Sequence, residues 1–183
     1  MREIDRRTQV SRRVFLRGSA TAVPAAALAA AGAGISPKTA WAQGAKALQP
    51  NTMATLVLVA RDIYPHDHVA DVFYIQAAMP WDDKAAKDPA TKAMLEEGVT
   101  RLDADAQDKY SVPYLQVAWE DQRVELLRGI EPSKFFQTLR GDLLVSFYNQ
   151  HDLWKKFGYE GPSAQYGGYI HRGFDDVDWL PQS

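Results

Sequence analysis

The chain has 183 residues, and its hydrophobic fraction of 46% is typical of a packed globular protein. It contains no cysteine, which excludes disulfide bonds, thiolate catalysis, iron–sulfur ligation and covalent haem attachment. The formal net charge is -2, but residues 1–42 hold seven basic and two acidic side chains, which leaves 14 basic and 21 acidic ones, a net charge of -7, in the remainder. Such an acidic body repels phosphate backbones, so we expect no nucleic-acid partner.

The first 42 residues have the pattern of a twin-arginine signal peptide. Two adjacent arginines and the apolar side chains after them are what the receptor of this export route reads. The targeting residues are Ser11, Arg12, Arg13, Phe15 and Leu16. An alanine-rich stretch follows at 20–35, and it falls short of the roughly 20 strongly apolar residues that a stable membrane span needs.

A cleavage site completes this leader. Ala40-Trp41-Ala42 supplies the A-x-A pattern that a signal peptidase reads before Gln43. The sequence therefore predicts a chain that is folded in the cytoplasm, exported through the twin-arginine translocase and cut after Ala42. An uncleaved leader that serves as a membrane anchor is the alternative.

Residues 43–183 are predicted to form an all-α domain, with about four to six helices and an irregular tail. Apolar spacing places the first helix from Asn51 or Thr52 to about Tyr64. A second, short helix is predicted over 69–78, because Pro80 lacks the backbone N–H that a helix interior requires.

Three further helices are predicted in the middle of the chain. Asp88-Pro89 provides a cap and a first-turn proline for a helix to about Tyr110. Its buried face is expected to contain Val99, Leu102 and Ala106. The next helix is predicted over 114–128 and ends at Gly129. The fifth begins after Pro132 and Ser133 and carries a buried ladder at i, i+4 spacing: Phe135, Leu139, Leu143 and Phe147.

From residue 158 onward the sequence is rich in glycine and aromatic residues and has no regular periodicity. Tyr, Trp and Arg are the residue types that dominate interface energetics. We therefore predict that the tail folds back over its own helices or lies along another protein. Its candidate interface residues are Tyr166, Tyr169, Arg172, Phe174 and Trp179.

One cluster suggests chemistry of its own. His66, Asp67 and His68 are ligand types for zinc or iron, but a site needs three or four converging ligands, and the other histidines are far away in the sequence. A polar turn between two helices is the simpler interpretation. The chain also has no P-loop, no Rossmann fingerprint and no nucleophile motif. We predict no catalytic, cofactor-binding or metal-binding residue.

A series of short segments follows the twin-arginine leader in a fixed order. These are 61–67 (RDIYPHD), Phe135-Phe136, Trp154, 157–162 (FGYEGP), 166–169 (YGGY) and 173–176 (GFDD). In this order, and over nearly the whole chain, they resemble the small subunit of membrane-bound flavin-dependent dehydrogenases, typified by the third subunit of gluconate 2-dehydrogenase.

The resemblance implies a partner and a place. Members of this family accompany a large FAD-containing subunit of the glucose–methanol–choline oxidoreductase type, which oxidises a sugar, a polyol or a sugar acid. A multihaem cytochrome c commonly passes the electrons to membrane quinones. The small subunit is an escort that carries the folded flavoprotein to the periplasm, at the outer face of the inner membrane. A free-standing periplasmic metalloprotein using His66, Asp67 and His68, and a binding module with a small ligand in the aromatic tail, are the competing hypotheses.

Overall fold

A computed structural model describes residues 40–170, with side chains from residue 41 onward. These residues form six α-helices and four 3₁₀ turns, and they contain no β-strand, which confirms the all-α fold class. The α-helices are α1 (Pro50–Ile63), α2 (Asp71–Lys87), α3 (Pro89–Tyr110), α4 (Glu120–Gly129), α5 (Lys134–Ser146) and α6 (His151–Trp154). The 3₁₀ turns are Ala40–Gly44, Tyr114–Gln116, Lys155–Phe157 and Ser163–Tyr166.

The core lies among four helices that all contact one another: α1, α2, α3 and α5. The shorter α4 packs against α1 and α3. The largest fully buried side chains are Trp81, Tyr74, Tyr114 and Phe147. None of the helices in the described range is long and apolar enough to cross a membrane.

Helix α1 begins close to the predicted position, but a side chain from another helix caps it. Glu96 of α3 accepts a hydrogen bond from the backbone N–H of Gln49 at 2.8 Å and another from the hydroxyl of Thr52. A carboxylate at this end also complements the positive end of the helix dipole. The start of α1 is therefore tied directly to α3.

The prediction that α2 stops before Pro80 is wrong, since this helix runs through the proline to Lys87. Pro80 lies on the exposed side of α2, whereas Ala77, Ala78 and Trp81 around it are buried in the core. The proline costs one backbone hydrogen bond. Burial of the large apolar surface on both sides of it outweighs that loss.

Helix α3 confirms its predicted start and its buried face. The Asp88 carboxylate accepts hydrogen bonds from the backbone N–H groups of Ala90 and Thr91, both at 3.1 Å. Val99, Leu102 and Ala106 are buried as predicted. The helix ends at Tyr110.

The predicted helix over 114–128 is wrong in its first part. Tyr114–Gln116 is a 3₁₀ turn, residues 117–119 are not helical, and α4 begins only at Glu120. Tertiary hydrogen bonds explain the difference. The Tyr114 hydroxyl donates to Asp62 at 2.7 Å, which fixes this turn against α1, and the Val117 carbonyl accepts a hydrogen bond from the Arg123 guanidinium at 2.9 Å in place of a helical backbone N–H.

Helix α5 confirms the strongest prediction. The Ser133 hydroxyl accepts a hydrogen bond from the backbone N–H of Phe136 at 3.2 Å and caps the helix. All four members of the predicted ladder are buried: Phe135, Leu139, Leu143 and Phe147. The ladder faces the core of the bundle, and the chain after α6 is irregular as predicted over 158–170.

Candidate partner-binding site

The predicted tail begins on a half-buried tryptophan that fixes it to the helical body. The indole N–H of Trp154 donates to the Tyr148 carbonyl at 2.9 Å, and its ring meets the ring of Tyr159 edge-on at 5.1 Å. Gly161 follows with a φ of 111°, a left-handed conformation that disfavours side chains. A β-carbon at Gly161 would lie 3.7 Å from the Trp154 ring. The first turns of the tail therefore wrap around Trp154.

Beyond this anchor, the tail exposes an unusual concentration of apolar side chains. Ten large hydrophobic residues are exposed in the described part of the chain, and five of them lie within 157–170. We call these five the aromatic surface: Phe157, Tyr159, Tyr166, Tyr169 and Ile170. Single exposed apolar residues are ordinary, but a cluster marks an interaction site.

An open depression of about 420 Å³ lies within this surface. It is lined by Lys155, Gly158, Tyr159, Glu160 and Tyr166. The Tyr166 hydroxyl donates to the Glu160 carbonyl at 3.0 Å, which closes one side of the depression around a short turn. Its lining combines two aromatic rings with a lysine and a glutamate, a suitable receptor for one amphipathic side chain of a partner protein.

The His66 side chain lies inside an aromatic cluster that borders the aromatic surface. Its Nε2 is 2.8 Å from the Tyr148 hydroxyl, and its ring stacks on Phe147 with 5.7 Å between centroids. Phe157 meets the His66 ring at 4.8 Å and the His68 ring at 5.6 Å. These contacts join the loop between α1 and α2 to the beginning of the tail.

Burial lowers the pKa of His66, and the neighbouring charges of His68 and Arg61 lower it further. Its imidazole is therefore neutral near pH 7, with one nitrogen engaged by Tyr148. Asp67 and His68 are exposed. Within residues 41–170, no three His, Cys, Asp or Glu side chains come together in an arrangement that would hold a metal ion.

The structure describes only part of the predicted site. Tyr166 and Tyr169 are exposed, with 53% and 55% of their surface accessible. Arg172, Phe174 and Trp179 lie outside the described residues, as do the targeting residues Ser11, Arg12, Arg13, Phe15 and Leu16. Of the predicted cleavage residues, Ala40 begins a 3₁₀ turn, and Ala42 is buried in the core.

Comparison of the chain with protein-family models, with curated proteins and with solved structures found no match. The resemblance to a dehydrogenase small subunit therefore rests on the sequence segments alone.

Sequence reasoning missed two buried carboxylates that organise the domain. Asp82 of α2 is 1% exposed and accepts three backbone hydrogen bonds from residues 46–48. Asp62 of α1 is paired with Arg123, and its side chain is 1% exposed. The sequence signal for such a carboxylate is an acidic residue on the buried stripe of an amphipathic helix. Asp82 was missed because the helix was predicted to end before Pro80.

Proposed function

We propose that this chain is a non-catalytic small subunit and export escort of a periplasmic flavin-dependent dehydrogenase complex. The complex oxidises a sugar, a polyol or a sugar acid at the outer face of the inner membrane. FAD belongs to the large catalytic subunit and haem c to a multihaem cytochrome partner, where one is present. This chain supplies the twin-arginine leader and a docking surface for the folded flavoprotein.

The observation that carries the proposal is the aromatic surface at 157–170. Half of the large exposed apolar side chains of the described part lie in these 14 residues. Tyrosine contributes a large contact area at low entropic cost. Its hydroxyl can form hydrogen bonds with water or with polar groups at the edge of an interface. The Trp154 anchor presents this surface on a preformed frame, which lowers the cost of ordering it upon binding.

The leader gives the second support. The twin-arginine route moves folded proteins, and a flavoprotein has to acquire FAD before it crosses the membrane. A leader of this kind therefore suits a chain that travels with a folded partner. The acidic body of the chain, with a net charge of -7 outside residues 1–42, is consistent with a protein partner and not with a nucleic acid.

Removing the two exposed tyrosines is expected to weaken the complex. An affinity-tagged chain should recover a yellow flavoprotein from membrane extracts of its host. The variant Tyr166→Ala, Tyr169→Ala should recover at least about tenfold less, since truncation of a tyrosine that is an interface hot spot costs about 2 kcal/mol or more. Flavin absorbance and dye-linked dehydrogenase activity in the eluate provide the measurement.

Trp119→Ala is the matched control, because Trp119 is an aromatic residue at least as exposed as the two tyrosines, with 68% of its surface accessible, and lies just before α4, away from the tail in sequence. Its recovery of flavoprotein should equal that of the wild type. Equal recovery by the tyrosine variant would remove the aromatic surface from the interface. Stoichiometric flavin on the purified single chain would contradict the escort function itself.

A further inference from the structure

The predicted signal-peptide cleavage site is part of the folded domain. Ala40–Gly44 forms a 3₁₀ turn, and the Ala42 side chain is 1% exposed within the hydrophobic core. Trp41 also packs against that core. The carbonyl of Ala42, which a peptidase would have to attack, accepts a hydrogen bond from the backbone N–H of Ala45 at 3.1 Å.

A buried carboxylate holds the next residues in place. Asp82 accepts hydrogen bonds from the backbone N–H groups of Lys46 at 2.7 Å, Ala47 at 3.0 Å and Leu48 at 2.9 Å. Burial opposes ionisation of Asp82, but these three hydrogen bonds outweigh it and lower the pKa of the carboxyl. Hydrogen bonds to a charged acceptor are about twice as strong as neutral ones.

The same segment is fastened again at its far end. Leu48 is buried in the core, and Glu96 holds Gln49 through its backbone N–H. Residues 41–49 are therefore attached to α2 and α3 at successive points. Local detachment of this segment has to break the Asp82 contacts and withdraw Ala42 and Leu48 from the core.

A signal peptidase acts on an extended and accessible chain, with the small side chains one and three residues before the cut inserted into its cleft. In the folded domain, the Ala42 side chain and its carbonyl are both engaged within the protein. Cleavage must therefore wait for local opening, and its rate follows the population of the open state.

We infer that the folded domain protects its own signal cleavage site, and that the Asp82 contact with residues 46–48 sets the rate of leader removal. The inference rests on the proposed function only in requiring an exported leader. It implies that a chain exported in folded form retains its leader for longer than a chain that emerges unfolded.

The test uses the purified full-length precursor and a purified type I signal peptidase in detergent micelles, with cleavage after Ala42 read by mass spectrometry. Precursor kept unfolded in urea that the peptidase tolerates should be cut rapidly, and the folded wild type at least about tenfold more slowly. Equal rates for the two forms would overturn the inference, and so would failure to cut the unfolded precursor after Ala42.

Three variants of the folded precursor test whether the Asp82 contacts control the local opening that exposes the cleavage site. Asp82→Asn should be cut about tenfold or more faster than the wild type, because it loses a charged acceptor of three hydrogen bonds. Lys46→Ala keeps the backbone N–H that donates to Asp82, removes the exposed ion pair with Asp83 and should change the rate less than about twofold. Gly98→Ala strains the contact between α3 and Phe135 of α5 but leaves Asp82 in place, and it should also leave the rate nearly unchanged.

Circular dichroism establishes that each variant is folded before it is cut. Equal acceleration by Asp82→Asn and Gly98→Ala would show that cleavage follows global unfolding. That result would overturn the inference that local opening at Asp82 sets the rate. No partner protein enters the assay, so a negative result here would not bear on the escort function, and the two proposals remain distinguishable.

Discussion

Replacement of Arg123 by methionine is expected to lower the free energy of unfolding by about 3–5 kcal/mol, the usual cost of leaving a buried charge unpaired. The Arg123 guanidinium donates two hydrogen bonds to Asp62, from Nε at 2.8 Å and from Nη2 at 2.9 Å. The Asp62 side chain is 1% exposed and that of Arg123 12%, so water cannot replace the lost donor. Chemical denaturation followed by circular dichroism measures the loss.

The double variant Asp62→Asn, Arg123→Met is the control for this expectation. With the buried charge removed as well, it should recover a large part of the stability lost in the single variant, since a buried ion pair contributes little beyond its own desolvation cost. The Tyr114 hydroxyl can still donate to the asparagine oxygen. A single variant that loses less than about 1 kcal/mol would show that Asp62 is not held as a buried charge.

The second large effect is expected for Gly98→Ala, which should destabilise the domain by about 1–3 kcal/mol although alanine is the better helix former. Gly98 lies in the middle of α3, where α5 crosses it. A β-carbon at Gly98 would lie 2.2 Å from the Phe135 ring, and that ring is itself buried. Either the ring or the two helices have to move apart.

Gly141→Ala provides the opposite outcome on a neighbouring helix. Gly141 is exposed in α5, and a β-carbon there would meet no atom within 4 Å. Alanine should therefore stabilise the domain by about 0.4–1 kcal/mol. Denaturant midpoints of the two variants that shift in the same direction would contradict the close contact between Gly98 and Phe135.

Local signals predicted those helices whose starts and buried stripes agree with each other. Helix α3 has Asp88 as its cap and a first-turn proline, and α5 combines the Ser133 cap with a four-residue apolar ladder. In both helices the propensity, the cap and the hydrophobic period indicate the same boundaries. These elements could be read from the sequence because they depend on contacts between near neighbours.

Two boundaries depended on contacts between distant residues and were predicted wrongly. Pro80 is tolerated inside α2 because the residues around it are buried against other helices. The helix predicted from Tyr114 begins only at Glu120, because Tyr114 and Arg123 converge on Asp62 of α1, more than 50 residues away in the sequence. Neither effect has a local signature.

In the candidate site, too, features with a local sequence signal were predicted, and features that depend on distant contacts were not. Composition predicted a tail that either folds back over its own helices or lies along another protein, and Tyr166 and Tyr169 are exposed in the structure. Sequence reasoning did not anticipate that Ala42 is buried, or that His66 is enclosed by Phe147, Tyr148 and Phe157. Both follow from which helices meet, and the A-x-A and His-Asp-His patterns carry no such information.

Export of the partner is the most direct test of the escort function. In a host whose only copy of this chain carries Arg12→Lys and Arg13→Lys, the flavoprotein that co-purifies with the wild-type chain should stay in the cytoplasm together with the variant. Its dehydrogenase activity should disappear from the periplasmic and membrane fractions and remain in spheroplast lysates. Undiminished flavoprotein activity on the periplasmic side of the variant strain would contradict the account.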